Sequence, residues 1–275
     1  MPSLNEQELS EISGYIRERY GVNLATKRML VESRLGCYMQ SKGFTSYGDY
    51  FEFVKNDPSG AEMANLINRI TTNHTFFMRE SDHLEFFIND VLPWVQTLSD
   101  GKDVRIWCAG CATGEEPYGL TIHIFESLAS RGLSTRSIDT TILASDISEK
   151  ALAAASEGVY PHENLMAIPP AWIEKHFTNL GDGNFRVTPA LRSNVAFKKI
   201  NLLDPFEVTK PYHTIFCRNV MIYFDAETRI SVVKRFYDVL APGGYLFIGH
   251  SESLTSFPND FKYIRPSVYR KPLDQ

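Results

Sequence analysis

The chain has 275 residues, of which 43% are hydrophobic and 22% charged, a composition typical of a globular protein with a sizeable core. A formal net charge of -5 and a pI of about 5.8 argue against a general nucleic-acid binder. The first residues lack the apolar core of a signal peptide, and no apolar run approaches the length of a membrane span. We therefore expect a cytoplasmic protein with reduced cysteines and no direct membrane insertion.

Helical patterns fill residues 1–70, which we predict to be an all-helical N-terminal domain. Ser3 or Asn5 would cap the first helix, and Gly21 would end it. Three further helices are predicted over 24–39, 44–54 and 61–70.

A local excess of basic side chains lies in this domain, with six basic residues against two acidic residues over 15–42. Lys27 and Arg34 share one line of the second helix, and Arg28 flanks that line. Such a run is typical of a solvated helix face. The alternative is a docking face for an acidic partner, and both interpretations stay open at this point.

The segment 71–80 reads TTNHTFFMRE and has no clean periodicity. It lies between the helical domain and the following α/β pattern, where cofactor sites often form. Asn73, Thr75 and Arg79 are candidate ligand contacts. The alternative is a plain linker that its two phenylalanines dock onto the core.

A helix over about 81–98 precedes a strand over 104–109, which runs through a glycine-containing turn into a helix over 115–130. Strand, glycine turn and helix start form the usual receiving site for nucleotide-like ligands in α/β sheets. Glu115 and Glu116 would repel a pyrophosphate, and no Gly-Lys-Ser/Thr follows to hold one. The turn therefore suits a ligand with a cationic end, such as S-adenosylmethionine, although an ordinary strand–helix turn stays open.

Cys108 and Cys111 in this turn have redox or zinc spacing. There is no second cysteine pair and no nearby set of histidine ligands. We predict that both residues pack a tight turn and that no metal is bound.

The next strand, over 140–145, ends in Asp146, which is placed to accept hydrogen bonds from a ribose diol. A helix over 149–156 follows. The region 158–194 does not continue the alternation of strands and helices. Asp182-Gly183 lies between two short strand-like runs and indicates a hairpin. We predict an inserted β subdomain here.

The sheet pattern resumes with a strand over 195–200, after which Asn201 and Leu202 would flank an adenine or form a strand-end turn. The remaining predicted elements are a strand over 213–217, a helix over 226–240, a turn at 241–244, a strand over 245–249 and an antiparallel hairpin over 262–271. His250-Ser251-Glu252 hints at a hydrolase triad, but the chain has no Gly-x-Ser-x-Gly elbow, and we discount it.

Six motifs occur in the order TTNHTFFMRE, GCATGEEPY, ASDIS, NLL, FCRNVMIYFD and LAPGGYLFIGHSES. Together they closely resemble the chemotaxis receptor methyltransferases, the CheR family of protein-glutamate O-methyltransferases, over nearly the whole chain. The resemblance implies an α/β, Rossmann-like S-adenosylmethionine-dependent methyltransferase fold with a seven-stranded sheet. The implied organisation is a helical domain over 1–70, a linker over 71–80 and a methyltransferase domain over 81–275 that carries the β insert at 158–194.

The resemblance also implies the activity: methylation of chemoreceptor glutamates for chemotactic adaptation, with S-adenosylmethionine as cofactor and S-adenosylhomocysteine as product. Arg79 and Tyr223 would lie nearest the transferred methyl group. The residues that would contact the cofactor are Asn73, Thr75, Arg79, one of Glu115 and Glu116, Asp146, Asn201, Leu202, Arg218 and Asn219.

The implied partner is the cytoplasmic helical bundle of a chemoreceptor, whose acidic methylation region would suit the basic face around Lys27, Arg28 and Arg34. Some family members tether to a receptor C-terminal peptide through a longer glycine-rich turn in the insert. The corresponding stretch here, 179–185, is short, so we expect no strong tether. Two rival hypotheses are a small-molecule O-methyltransferase and a cofactor-binding adaptor without activity.

Overall fold

A computed structural model describes residues 3–71, 73–98, 103–134, 138–206 and 208–273; the other residues of the predicted ranges lie outside the described part. The helices are α1 Glu6–Tyr20, α2 Arg28–Ser41, α3 Tyr47–Lys55, α4 Ala61–Ile70, α5 Ser81–Phe86, α6 Leu92–Gln96, α7 Glu115–Ser130, α8 Glu149–Glu157, α9 Pro170–His176, α10 Pro189–Ser193 and α11 Ala226–Val239. The strands are β1 Ile106–Ala109, β2 Ile142–Asp146, β3 Val159–Pro161, β4 Phe177–Asn179, β5 Asn184–Val187, β6 Val195–Lys199, β7 Tyr212–Cys217, β8 Leu240–Ile248, β9 Lys262–Arg265 and β10 Val268–Arg270.

Helices α1 to α4 pack around a hydrophobic cluster of their own. Asn5 caps α1 in a capping box with Glu8, and Gly21 ends α1 in the left-handed conformation, as predicted. Helix α2 begins four residues later than the predicted 24–39. Residues 24–27 form a turn instead, in which the Lys27 N–H donates to the Leu24 carbonyl at 2.9 Å, and Val22 just before it pairs with Phe224 in an isolated antiparallel bridge.

The predicted seven-stranded sheet is confirmed, with strand order β6-β2-β1-β7-β8-β10-β9. The first five strands in this order run parallel, and β10 is antiparallel to both of its neighbours, β8 and β9. The insert is a three-stranded antiparallel sheet of order β3-β5-β4. Its β4–β5 hairpin turns at the predicted Asp182-Gly183.

Two predicted elements have a different form. The helix expected over 81–98 consists of α5, a π-helical turn at Phe87–Val91 and α6. The turn expected at 241–244 lies within β8, whose pairing with β7 shifts register between Tyr212 and Thr214. The extra residues are therefore accommodated as a bulge in β8.

The parallel strands fix where a ligand can bind. Their carboxyl ends meet at one edge of the sheet, so the turns after β1, β2, β6 and β7 come together there. The strands that form this edge are held by a hydrophobic core. It includes the stacked rings of Phe216 on β7 and Phe247 on β8, whose centroids lie 4.4 Å apart. Among the described residues, no helix is long and apolar enough to cross a membrane.

Candidate functional site

One cleft opens at the carboxyl edge of the parallel strands and encloses about 1160 Å³ of space, part of it open to solvent. Its walls come from the sheet turns, from the linker and from the helical domain. Its lining includes every residue predicted to bind the cofactor or to act in catalysis: Asn73, Thr75, Arg79, Glu115, Glu116, Asp146, Asn201, Leu202, Arg218, Asn219 and Tyr223.

The glycine turn after β1 allows close approach of the backbone. Gly110 has a φ of +86°, and a Cβ atom there would lie 2.3 Å from Cγ2 of Val220 in the turn after β7. A side chain at this position would therefore force the two turns apart. Cys108 and Cys111 are buried free thiols in this region, which agrees with a packing role.

Arg218 is a buried cation in the cleft that pairs with two carboxylates, and its side chain is only 3% exposed. Its Nε atom lies 3.2 Å from Oε2 of Glu80 and 3.2 Å from Oε2 of Glu116. Neither contact has hydrogen-bond geometry at Nε, so both are charge pairs. A second guanidinium nitrogen, Nη2, donates to the carbonyl oxygen of Arg79. Burial raises the pKa of Glu116, and the Arg218 charge opposes that rise.

Glu115 precedes Glu116 in the chain but has different contacts. Its carboxylate accepts a 2.7 Å hydrogen bond from Oγ1 of Thr113, and burial raises its pKa. The salt bridges found among the described residues include Glu116 but not Glu115. Glu115 therefore has an acceptor oxygen in the cleft that no cation of the described chain offsets.

Asp146 lies at the end of β2 with both carboxylate oxygens aimed at backbone amides. Oδ2 accepts from the Ala112 N–H at 2.9 Å, and Oδ1 accepts from the Ser148 N–H at 2.9 Å. Burial raises the pKa of this carboxyl group, and these amides oppose the rise. Each oxygen keeps a lone pair for a further donor, such as a ribose hydroxyl.

Asn201 and Leu202 line the cleft after β6, as predicted, but Asn201 also holds the helical domain. Its Nδ2 donates to the Arg19 carbonyl at 2.8 Å, and its Oδ1 accepts from the Leu203 N–H at 3.1 Å. Leu202 is buried and offers an apolar surface to the cleft.

Arg79 and Tyr223 lie on two separate segments of the lining. Nη1 of Arg79 donates to the His74 carbonyl at 3.1 Å, and its guanidinium carbon lies 5.6 Å from the ring centre of Phe76. Tyr223 ends a short 3-10 helix, and its carbonyl accepts from the Asn23 N–H at 2.9 Å. Both side chains are partly exposed, so a substrate can reach them.

Several lining and supporting residues were not predicted from the sequence. Glu80 directly follows Arg79, and its Oε1 accepts from Nδ2 of Asn219 at 3.3 Å. Its position directly after Arg79 in the predicted linker could have marked Glu80 as a candidate site residue. Tyr20 and Val22 also line the cleft, but they reach it through the long-range bridge to Phe224, which no local pattern predicts.

Glu80, His83 and His250 form a cluster whose potential ligand atoms lie within 4.8 Å of one another. Arg218 already pairs with Glu80, and Nε2 of His250 lies 3.2 Å from Oδ1 of Asp82. Burial lowers the pKa of His83 to about 4, so this ring is neutral at physiological pH. Glu80 and His250 therefore already have partners within the chain, and we assign no metal to the cluster.

The three predicted docking residues lie outside the cleft and have different surroundings. Lys27 is exposed at the N-cap position of α2, whereas Arg28 forms an ion pair with Glu6. Arg34 donates to the carbonyls of Arg69 and Thr71, at 3.3 and 3.4 Å. The charge of Arg28 is therefore offset within the chain, and Arg34 is bonded to the start of the linker.

Comparison with known proteins gives matches over nearly the whole chain. Residues 7–71 match the family described as CheR methyltransferase, all-alpha domain, and residues 73–270 match CheR methyltransferase, SAM binding domain. The chain is 37% identical to the chemotaxis protein methyltransferase of Borreliella burgdorferi, with 98% of this chain and 95% of that protein covered. It is 35% identical to the chemotaxis protein methyltransferase of Klebsiella aerogenes, with 97% of this chain and 90% of that protein covered. It is 34% identical to the Escherichia coli protein of the same name, with 97% of this chain and 91% of that protein covered.

Replacement of Arg218 tests the electrostatic network. In Arg218→Met the carboxylates of Glu80 and Glu116 stay buried without their counter-ion, which costs roughly 3–5 kcal/mol of unfolding free energy at neutral pH. Without the cation, the pKa of Glu116 rises further above its ordinary value of 4.5. Because the unfolded chain then loses this proton at lower pH than the folded protein, the stability deficit of the variant grows as pH rises from mildly acidic to neutral.

The measurement is denaturant unfolding of cofactor-free protein at several pH values. Arg218→Lys, which keeps the charge, is the matched control and should show a smaller deficit with little pH dependence. A deficit of Arg218→Met that does not change with pH would contradict the network.

Proposed function

The chain belongs to the CheR methyltransferase family, and we propose that it methylates specific glutamate side chains of chemoreceptors, using S-adenosylmethionine. The products would be glutamate methyl esters and S-adenosylhomocysteine, and the reaction would serve chemotactic adaptation. The observation that supports this proposal most is the convergence of linker, glycine turn and strand ends on one cleft that is rich in carboxylates. The substrate region would be the cytoplasmic helical bundle of the receptor.

The residues of the cleft fit the cofactor. When bound, S-adenosylmethionine supplies an electrophilic methyl group on a sulfonium. Glu80 and Glu116 pair with Arg218, and Glu115 in the same cleft has no salt bridge among the described residues, which leaves negative charge for a cationic ligand. We assign the amino group of the ligand to Glu115, because Arg218 already neutralises Glu116. Asp146 would hold the ribose, and Leu202 would contact the adenine.

The remaining lining residues would position the substrate. An unperturbed glutamate carboxyl has a pKa of about 4.3, so it is already an ionised nucleophile at neutral pH and needs no general base. Proximity and orientation are then the main catalytic requirement. Arg79 is suited to bind the incoming carboxylate, since guanidinium and carboxylate form charge-assisted hydrogen bonds. The Tyr223 hydroxyl would orient the same group, and neither residue should bind it so tightly that its nucleophilicity falls.

Receptor docking is assigned to Lys27 and Arg34 on α2. Lys27 is exposed, and Arg34 contacts the start of the linker that continues into the cleft. An acidic helix bound along this face would therefore lie close to the chemistry. The helical domain also favours a macromolecular substrate over the small-molecule alternative, because a small substrate needs no such surface.

The proposed activity is tested by incubating the protein with receptor-containing membranes and radiolabelled S-adenosylmethionine. We expect label on receptor glutamates that base releases as methanol. Arg79→Ala should lower this transfer by roughly 100-fold, because the nucleophile is no longer held in line. Arg131→Ala, on the far end of α7, is the matched control. Cofactor binding without labile label would favour the adaptor hypothesis, and near-normal turnover of Arg79→Ala would exclude its positioning role.

The choice between the paired acids is tested by the affinity for S-adenosylhomocysteine, measured by calorimetry. Glu115→Gln removes the uncompensated carboxylate and should weaken binding roughly 10- to 100-fold, the value of a charge-assisted hydrogen bond. Glu116→Gln leaves Arg218 paired with Glu80 and should have the smaller effect. The opposite ranking would assign the amino group to Glu116.

The docking assignment is tested by the double charge reversal Lys27→Glu and Arg34→Glu. We expect a several-fold higher KM for the receptor and an unchanged affinity for S-adenosylhomocysteine, because both residues lie outside the cleft. Lys210→Glu with Lys234→Glu, two exposed positions away from α2, serves as the matched control. Equal receptor KM values for the two double variants would count against a docking face on α2.

A further inference from the structure

The turn after β7 carries three residues of the proposed site: Arg218, Asn219 and Tyr223. Asn219 has a φ of +59°, in the left-handed region that non-glycine residues rarely adopt. Such a conformation costs of order 1 kcal/mol or more and persists only where the surroundings enforce it. The position of this turn therefore depends on contacts from other segments.

Glu252, in the loop after β8, supplies two of these contacts and a third to the end of its own strand. Its Oε2 accepts from the Asn219 N–H at 3.0 Å and from the Gly249 N–H at 2.6 Å. Its Oε1 accepts from the Ile222 N–H at 3.2 Å. One carboxylate thus bridges the ends of two neighbouring strands, so the His250-Ser251-Glu252 run has a structural explanation other than a hydrolase triad.

The two strand ends approach closely at this bridge. A Cβ atom on Gly249 would lie 2.4 Å from Nδ2 of Asn219, and that same Nδ2 donates to Oε1 of Glu80. Burial raises the pKa of Glu252, and the backbone amides that it accepts from oppose the rise. Glu252 does not line the cleft, so it acts on the site through the turn.

Tyr223 is held on both sides by these contacts. The peptide N–H of its predecessor, Ile222, is bound by Glu252, and its own carbonyl is bound by the Asn23 N–H at 2.9 Å. Loss of the Glu252 contacts would leave the backbone N–H groups of Asn219 and Ile222 without the acceptor that holds them in this turn.

We propose that Glu252 is a positioning residue for methyl transfer: it fixes the turn that sets the Tyr223 hydroxyl against the substrate carboxylate. This inference rests on the proposed function. Glutamine at this position retains the shape but has one acceptor oxygen, and its NH₂ group faces a peptide N–H instead of accepting from it.

The test compares Glu252→Gln with Glu174→Gln, an exposed acid on α9. For Glu252→Gln we expect kcat to fall about tenfold through misplacement of the turn, with an unchanged receptor KM. If Glu252 acts through Tyr223, the double variant with Tyr223→Phe should be no slower than Tyr223→Phe alone. Multiplying losses, or a kcat equal to that of the control, would overturn the proposal.

Amide hydrogen exchange of the ligand-free protein gives a readout that needs no activity. Glu252→Gln should increase exchange at Asn219 and Ile222, while the core strands keep their protection. If Glu252→Gln does not fold, Glu252→Asp is used, which keeps the charge but shortens the reach and should show the same two effects. Unchanged exchange at both amides would overturn the proposal. Failure of the wild-type chain to label receptors would instead overturn the proposed function.

Discussion

The contact between one buried cation and two buried carboxylates organises this molecule's cleft. Arg218 comes from the end of β7, Glu116 from the first turn of α7 and Glu80 from the linker, with 3.2 Å between Nε and each carboxylate. Because each of these charges would be costly to bury alone, the three segments stabilise one another in this arrangement. Glu115, beside them, is an acid with no salt bridge among the described residues, and we assign the cationic amino group of the ligand to it.

The helical domain contacts the same edge of the sheet, next to the proposed active site. Val22 pairs with Phe224, Asn201 binds the carbonyl of Arg19, and Arg17 forms an ion pair with Asp225. The end of α1 is therefore attached to the two turns that follow β6 and β7. Under the proposed function, a receptor helix bound on α2 would lie beside Arg34, which contacts the start of the linker.

Most strands and helices could be predicted from the sequence, and so could the meeting of several site residues in one cleft. Parallel strands bring their carboxyl ends together, so Asp146 and Asn201 could be placed at one edge as strand-end residues, and the family resemblance added Arg218. Three features were out of reach: the pairing of Glu80 with Arg218, the bridge of Val22 and the left-handed Asn219. Each depends on contacts between distant segments, and local periodicity carries no information about such contacts. For the same reason the choice between Glu115 and Glu116 needed the position of Arg218.

We infer that Arg218 stays neutralised by Glu116 and Glu80 when the ligand binds, so that Glu115 is left for the amino group of the ligand. A crystal structure of the chain with S-adenosylhomocysteine tests it most directly. We expect both ion pairs to persist and a Glu115 oxygen to lie within hydrogen-bond distance of the ligand's amino nitrogen. A structure in which Arg218 has left Glu116, and Glu116 binds that nitrogen instead, would contradict this assignment.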